Sequence, residues 1–321
     1  MAEVYITCRV FEEEIERLRA AGHTVEMRDH PGPICHAELL TKIAAAEALI
    51  CLLSERIDAE VIAAAASLKI IANLGVGYDN IDVEGAHAAG VIVTNTPGAL
   101  TETTADLAFA LLLAAARRVV EGDRFVRAGD FLGWELVGSQ LGLEVYGKRL
   151  GIVGMGKIGT AVARRGRLGF GMKILYHNRR RNEEGEKELA AVHVPLEKLL
   201  EESDFICVHT PLTPQTRHLF DRQAFARMKD SAILVNVARG PVVDEEALVQ
   251  ALATGEIAGA GIDVYEEEPA VHPGLVGLQE RVVLSPHLGS ATVATRRAMA
   301  KIAVDNVLSV LAGAPPLNPV A

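Results

Sequence analysis

Short aliphatic runs alternate along the chain with longer stretches in which apolar residues recur every three or four positions. In the first hundred residues the runs are VYITC at 4–8, TVEMRD at 24–29, ALICLL at 48–53, KIIANLG at 69–75 and VIVTN at 91–95. Each predicts a strand. The segment FEEEIERLRAAG at 11–22 predicts an amphipathic helix closed by Gly22, and Ala-rich helical stretches separate the later runs. Such alternation builds βαβ units and a parallel sheet. A second series begins at Arg149: RLGIVG, KILYHN, DFICVHT, AILVNVA, GAGIDV and VVLSP, with helical patterns such as FDRQAFARMK and DEEALVQALATG between them. A helix at 294–313 precedes a Pro-rich tail. Two successive α/β series predict two domains of shared architecture.

Between the series the pattern changes. A long helix is expected over about 102–122. Thr101, Thr103 and Thr104 crowd its start and Arg117 and Arg118 lie near its end, a polarity that suits the helix dipole. AGDFLGWELVGSQLGLEVYGK at 128–148 follows, with five glycines and no clear period, and reads as a loop or arm. The apolar run Leu107–Ala116 is too short to span a bilayer. The N-terminus lacks the basic and apolar regions of a signal peptide.

Composition sharpens this picture. The 321 residues are half hydrophobic but only 4% aromatic. That argues against disorder and for a core of Ala, Val, Ile and Leu. The net charge of −10 gives no general attraction to nucleic acid or anionic membrane. Cys8, Cys35, Cys51 and Cys207 are scattered and form no CxxC pair, which points to reduced thiols in a cytoplasmic protein and to no metal site. Asp79, Asn80 and Asp82 lack the glycine and glutamate of a calcium loop.

Candidate chemistry starts at Gly154-Met155-Gly156-Lys157-Ile158-Gly159, a GxGxxG between an expected strand and an expected helix. Gly154 makes the tight turn, Gly156 admits a pyrophosphate to the backbone, and Gly159 lets helix and strand pack closely. The helix N-terminus supplies N–H groups and a positive dipole. For NAD, an acid about 20 residues on reads the ribose. That distance from Gly159 lands on Asn178, followed by Arg179, Arg180 and Arg181. A carboxylate repels a 2′-phosphate and guanidinium groups bind it. NADP(H) is therefore favoured over NAD(H). The opposing interpretation is a solvated charge run balanced by Glu183, Glu184 and Glu186.

Arg239, Glu268 and His287 lie at expected strand ends, within VNVARG, DVYEEEP and SPHLGS. Ligands of open α/β sheets sit beyond the carboxyl ends of the strands, so the three can share a cleft. The arginine can hold a carboxylate or polarise a carbonyl. The histidine can move a proton, and the glutamate can orient it and favour its cation.

With GVGYDNID at 75–82, NTPG at 95–98 and HTPLT at 209–213 added in order, the chain resembles the D-2-hydroxyacid dehydrogenase family over essentially its whole length. Within it the chain is most similar to glyoxylate/hydroxypyruvate reductases, through Tyr176-His177-Asn178-Arg179 and the loop containing Trp134. The resemblance implies two Rossmann/flavodoxin-like doubly wound domains with an active-site cleft between them. Residues 1–98, completed by 287–321, form the substrate domain, and 99–286 bind the dinucleotide. It implies that Arg239 binds the substrate carboxylate and keto oxygen, that His287 is the general acid with Glu268 its partner, and that Val76 and Gly77 offer N–H groups to the carboxylate. Thr104, Thr210, Pro211, Thr216, Val237, Ala238, Asp263 and Gly289 join the glycine loop, Asn178, Arg179 and Arg180 as cofactor contacts. Leu53, with Ser54, Tyr78 and Trp134, is expected to line the substrate pocket, and Ser290 is a further candidate.

The expected reaction is NADPH-dependent reduction of a small 2-oxoacid, glyoxylate or hydroxypyruvate, to the D-2-hydroxyacid. Two alternatives differ in class. One is an NAD-linked dehydrogenase of the D-lactate or phosphoglycerate type. The other is a nucleotide-sensing corepressor-like protein, against which the intact Arg, Glu and His argue. A homodimer is expected from the apolar character of 101–147, with Trp134 a candidate to reach the partner's active site.

Overall fold

The structure is a computed structural model that describes residues 1–138 and 140–320. The chain divides into two compact units, Met1–Leu100 with the segment from Thr292 onward, and Thr101–Ala291.

Unit 1 holds β1 (Glu3–Ile6), β2 (Thr24–Met27), β3 (Ala48–Cys51), β4 (Ile70–Asn73) and β5 (Ile92–Thr94), all parallel, in the order β2-β1-β3-β4-β5. β3 and β4 are buried throughout, as strands covered on both faces must be. Successive residues serve opposite faces. Leu49 and Ile71 join one apolar cluster, while Ile50 and Ala72 join another. The second cluster is closed by the helix Val293–Leu311, which returns to this sheet through Ala303, Val304 and Val307. Thr292 caps that helix by accepting from the Thr295 N–H at 3.2 Å.

Unit 2 holds β6 (Arg149–Val153), β7 (Lys173–His177), β8 (Val192–His193), β9 (Phe205–Val208), β10 (Ile233–Asn236), β11 (Gly259–Ile262) and β12 (Val282–Leu284). The sheet is parallel, in the order β12-β11-β10-β9-β6-β7-β8. Strand order therefore reverses between β6 and β9, and in unit 1 between β1 and β3. These are the switch points at which doubly wound sheets bind ligands.

Three sequence expectations are revised. The helix expected over 102–122 is two helices, Thr101–Ala116 and Val119–Ala128, broken at Arg118, whose φ is +52°. The chain returning at Leu143 donates its N–H to the Ala116 carbonyl at 2.7 Å and takes the place of a further turn. The strand β8 has two residues, too few to show a period. The domain crossings fall after Leu100 and after Ala291 rather than after 98 and 286. No described helix is long and apolar enough to cross a membrane.

Candidate active site

The glycine loop leaves β6 at the switch point. Gly154 has φ +97°, and a Cβ there would lie 2.7 Å from the backbone of His209 and Thr210, which follow β9. A Cβ on Gly159 would come within 2.3 Å of the Gly154 carbonyl oxygen. Gly156 is exposed, and a Cβ on it would meet nothing within 4 Å. It begins the helix Lys157–Arg164 with no side-chain cap, so the first-turn N–H groups stay available to an anion. Lys157 is exposed, Ile158 half-buried and Met155 buried. This glycine-shaped cradle fits a dinucleotide pyrophosphate.

The turn after β7 braces the loop. Asn178 Oδ1 accepts from the Met155 N–H at 2.6 Å, and Asn182 Nδ2 donates to the Met155 carbonyl at 2.9 Å. Asn178 thus commits its side-chain carbonyl to shaping the glycine loop. The three arginines separate by environment. Arg181 pairs with Glu186 at 2.5 Å. Among the described residues Arg179 and Arg180 have no such partner, and both are exposed at the strand end.

Across the switch point, Thr210 and Pro211 lead a loop pinned by Thr216, whose hydroxyl donates to the Pro211 carbonyl at 2.7 Å. Val237 and Ala238 follow β10. The buried Asn236 holds them by accepting from the Ala238 N–H at 3.0 Å and donating to the Arg239 carbonyl at 2.9 Å. Arg239 donates through Nη1 to the Ala238 carbonyl at 2.8 Å. At Gly240 a Cβ would lie 1.9 Å from the Tyr265 backbone. Only a residue without a side chain lets the Arg239 loop lie against the loop that carries Glu268.

His287 follows β12 with φ +53°, an uncommon conformation for histidine. Its N–H donates to the Asp263 carbonyl at 2.9 Å. The Asp263 side chain, fully buried, organises the rest of the turn. Oδ1 accepts from Ser285 Oγ at 2.6 Å and from the Leu288 N–H at 2.7 Å, and Oδ2 accepts from the Gly289 N–H at 2.9 Å. Burial pushes the Asp263 carboxyl above the usual range, against these bonds and the nearby His287. Thr104 donates to the Gly289 carbonyl at 3.1 Å, tying the turn to the first helix of the unit. Ser290, half-buried, ends it.

The result is a short contact between His287 Nδ1 and Glu268 Oε2, at 2.9 Å. Both side chains keep about a quarter of their surface exposed. Burial opposes the Glu268 carboxylate. Its hydrogen bond to His287, the charge of His287, the Tyr265 N–H at 3.1 Å and the charge of Arg239 outweigh that and hold it below the usual glutamate value. With Nδ1 committed to a carboxylate, Nε2 is the nitrogen left for proton exchange. Arg239, Glu268 and His287 therefore converge within unit 2.

In unit 1, Val76 and Gly77 lie in a loop after β4, shaped by two amides. Asn95 Nδ2 donates to the Val76 carbonyl and Asn73 Nδ2 to the Gly77 carbonyl, both at 2.7 Å. With both carbonyls engaged, this loop's N–H groups are the backbone positions left for a ligand. Leu53 is half-buried, and its side chain would touch a Cβ placed on Gly75. Trp134 is 81% exposed, within an irregular stretch.

Sequence reasoning passed over Ser285, Tyr265 and the bracing amides Asn236, Asn73 and Asn95. Tyr265 donates its hydroxyl to the Ser285 carbonyl at 2.9 Å, and burial pushes its pKa up to about 12, which keeps that proton in place. Ser285, Tyr265, Asn236 and Asn95 all sit inside the SPHLGS, DVYEEEP, VNVARG and NTPG motifs, which mark the segments; the bonds these side chains make show only in three dimensions.

Comparison with known proteins identifies the family. Residues 109–289 match the model of the D-isomer specific 2-hydroxyacid dehydrogenase, NAD binding domain. A glyoxylate reductase of Thermococcus onnurineus is 50% identical over 319 residues, covering 96% of this chain and 92% of the relative. A solved protein of Thermus thermophilus superposes with a TM-score of 0.91 at 46% identity, covering 99% of this chain and all of that one. An NADPH-dependent glyoxylate/hydroxypyruvate reductase of Sinorhizobium meliloti, solved with NADP and malonate, gives 0.86 at 33% identity, covering 100% and 97%. The chain belongs to the D-isomer specific 2-hydroxyacid dehydrogenase family and is an NAD(P)-dependent oxidoreductase.

Proposed function

We propose that the protein reduces a small 2-oxoacid, glyoxylate or hydroxypyruvate, to the D-2-hydroxyacid with NADPH. The observation that carries this reading is the His287–Glu268 pair at 2.9 Å with the Arg239 charge acting on it. The names of the relatives supply the substrate class.

When bound, the nicotinamide supplies a hydride to C2 of the oxoacid. Arg239 holds the carboxylate and the C2 oxygen, where negative charge develops. His287 gives that oxygen a proton from Nε2, while Glu268 fixes the ring and favours its cation. In unit 1 the N–H groups of Val76 and Gly77 bind the carboxylate, and Leu53 bounds the C3 group. Ser290 and Trp134 are further substrate contacts in this reading. The glycine loop with Lys157 and Ile158 holds the pyrophosphate. Thr104, Thr210, Pro211, Thr216, Val237, Ala238, Asp263 and Gly289 bound the nicotinamide end. Arg179 and Arg180 hold the 2′-phosphate, with Asn178 acting mainly through the loop it braces.

We assign the protein as a homodimer. Leu132, Trp134, Leu136 and Val137 are each at least 77% exposed, an apolar arm that a second copy would cover. Four free thiols suit the reducing cytoplasm.

Initial rates of NADPH and NADH oxidation with glyoxylate, hydroxypyruvate and pyruvate test the proposal. A large NADPH preference with the first two substrates is expected. Replacing His287 with Ala should lower kcat by about 10² to 10⁴ while NADPH still binds, and Arg239→Ala should act similarly. Near-normal kcat in either variant overturns the site assignment. An NADH preference overturns the roles of Arg179 and Arg180 alone.

A further inference from the structure

The loop that carries Glu268 is fastened at a second point, away from the reacting groups. Glu245, the first residue of the helix Glu245–Thr254, is only 8% exposed. Its Oε1 accepts from the Glu266 N–H at 2.8 Å, and Glu266 Oε1 accepts from the Glu245 N–H at 2.9 Å. Each carboxylate satisfies the other residue's backbone. His218 Nε2 reaches Glu266 Oε1 at 3.2 Å. His218 has φ +51°, and its N–H donates to the Pro241 carbonyl at 2.8 Å. Three separate segments thus meet at this exchange: the one before β10, the one that follows Arg239, and the one that carries Glu268.

The arrangement costs something electrostatically. Burial raises the Glu245 pKa, and the charges of Glu266 and Glu267 act the same way, against the Glu266 N–H and the charge of His272. Glu266 is two residues from Glu268. Tyr265, immediately before Glu266, gives its N–H to Glu268 and its hydroxyl to the carbonyl of Ser285. These bonds connect the residue next to Glu266 with the Glu268 carboxylate and with the turn that holds His287.

We propose that Glu245 is a positioning residue for the proton-transfer pair: its exchange of hydrogen bonds with Glu266, tethered by His218, sets the placement of Glu268 against His287. The inference rests on the reading of His287 as general acid. Glu245 touches neither substrate nor cofactor in this scheme. Its effect appears as a change in kcat and in the pH at which the pair works, with binding preserved.

The test compares Glu245→Ala with Glu245→Gln in the full chain, using NADPH and glyoxylate across pH. Glutamine keeps an acceptor oxygen for the Glu266 N–H, and alanine has none. The expected loss of kcat in Glu245→Ala is about 10- to 100-fold, the range a small misplacement of reacting groups produces. The alkaline limb of the kcat/KM profile should move to lower pH, because a loosened Glu268 favours the His287 cation less. The KM for glyoxylate and the fluorescence-measured Kd for NADPH should stay within about twofold. Glu245→Gln should restore most of kcat and the original profile.

A wild-type profile in Glu245→Ala overturns the proposal. So does a loss confined to KM or to the NADPH Kd, or an equal loss in both variants. If Glu245→Ala does not fold, His218→Ala decides. That side chain is 41% exposed, and its removal should shift the alkaline limb in the same direction by less; no shift overturns the proposal. His287→Ala is run alongside. If it retains turnover, the acid assignment itself has failed. If it is inactive while Glu245→Ala behaves as wild type, only the clamp has failed.

Discussion

The two sheets follow one doubly wound plan and furnish their switch points in opposite ways. Between β6 and β9, three glycines strip the chain of side chains, and the helix that follows has no side-chain cap. Between β1 and β3, the protein fills the corresponding gap itself. Glu55, 3% exposed, accepts from Thr7 Oγ1 at 2.5 Å and from the Leu52 N–H at 2.7 Å. A carboxyl of the chain occupies one switch point, and the other is shaped to receive a ligand's phosphates. The topology offers the crevice in both units, and local side chains decide whether it can hold a ligand.

Closing the open switch point should have the largest effect. In Gly154→Ala the new Cβ meets the His209 and Thr210 backbone at 2.7 Å, where no rotamer change can relieve it. The φ of +97° adds strain. Overlap and strain together cost about 2–6 kcal/mol. Titration of NADPH fluorescence should show affinity weakened by about 30-fold or more. Binding near wild type would mean that the glycine loop does not form the cradle. Unit 1 should be indifferent to this change.

Emptying the filled switch point should cost less and act on stability. Glu55→Ala leaves the Leu52 N–H without its acceptor, a loss of about 1–3 kcal/mol. Urea unfolding followed in unit 1 should report it, while the NADPH Kd remains unchanged. A weakened NADPH affinity with unchanged stability would reverse the comparison.

The contrast explains what was legible in the sequence. The glycine loop declares itself because at Gly154 and Gly159 only glycine fits, and the order of motifs points to Arg239, Glu268 and His287. Both parallel sheets followed from the spacing of aliphatic runs. The break at Arg118 was hidden because it depends on Leu143 arriving from outside the helix. The bracing role of Asn178 depends on its reaching Met155, 23 residues away. Glu55 sits beside Leu53 and Ser54, which were singled out, yet nothing local marks a glutamate as buried. Its burial comes from strands that arrive from both sides, and such long-range closure leaves no periodic trace.

The smallest effect separates the two switch points by pH. Burial raises the Glu55 carboxyl above its ordinary value of 4.5, against the bonds from Thr7 and Leu52 and the charge of Arg28, with Cys8 and Cys51 as neighbouring thiols. Below pH 4.5 the folded and unfolded chains both hold this proton, and the contribution to stability is full. As pH rises from 4.5 through the folded value, the unfolded chain has released the proton and the folded chain still binds it. Stability therefore falls across that window. Glu55→Gln has no proton to release. The difference in unfolding free energy should move in favour of the glutamine variant as pH rises from 4.5 toward neutrality. Denaturant midpoints of the two proteins at a series of pH values measure it. A difference that is flat, or that grows as pH falls, would mean that Thr7 and Leu52 hold Glu55 as a carboxylate, so that unit 1 keeps an anion of its own where unit 2 is shaped to bind one from outside.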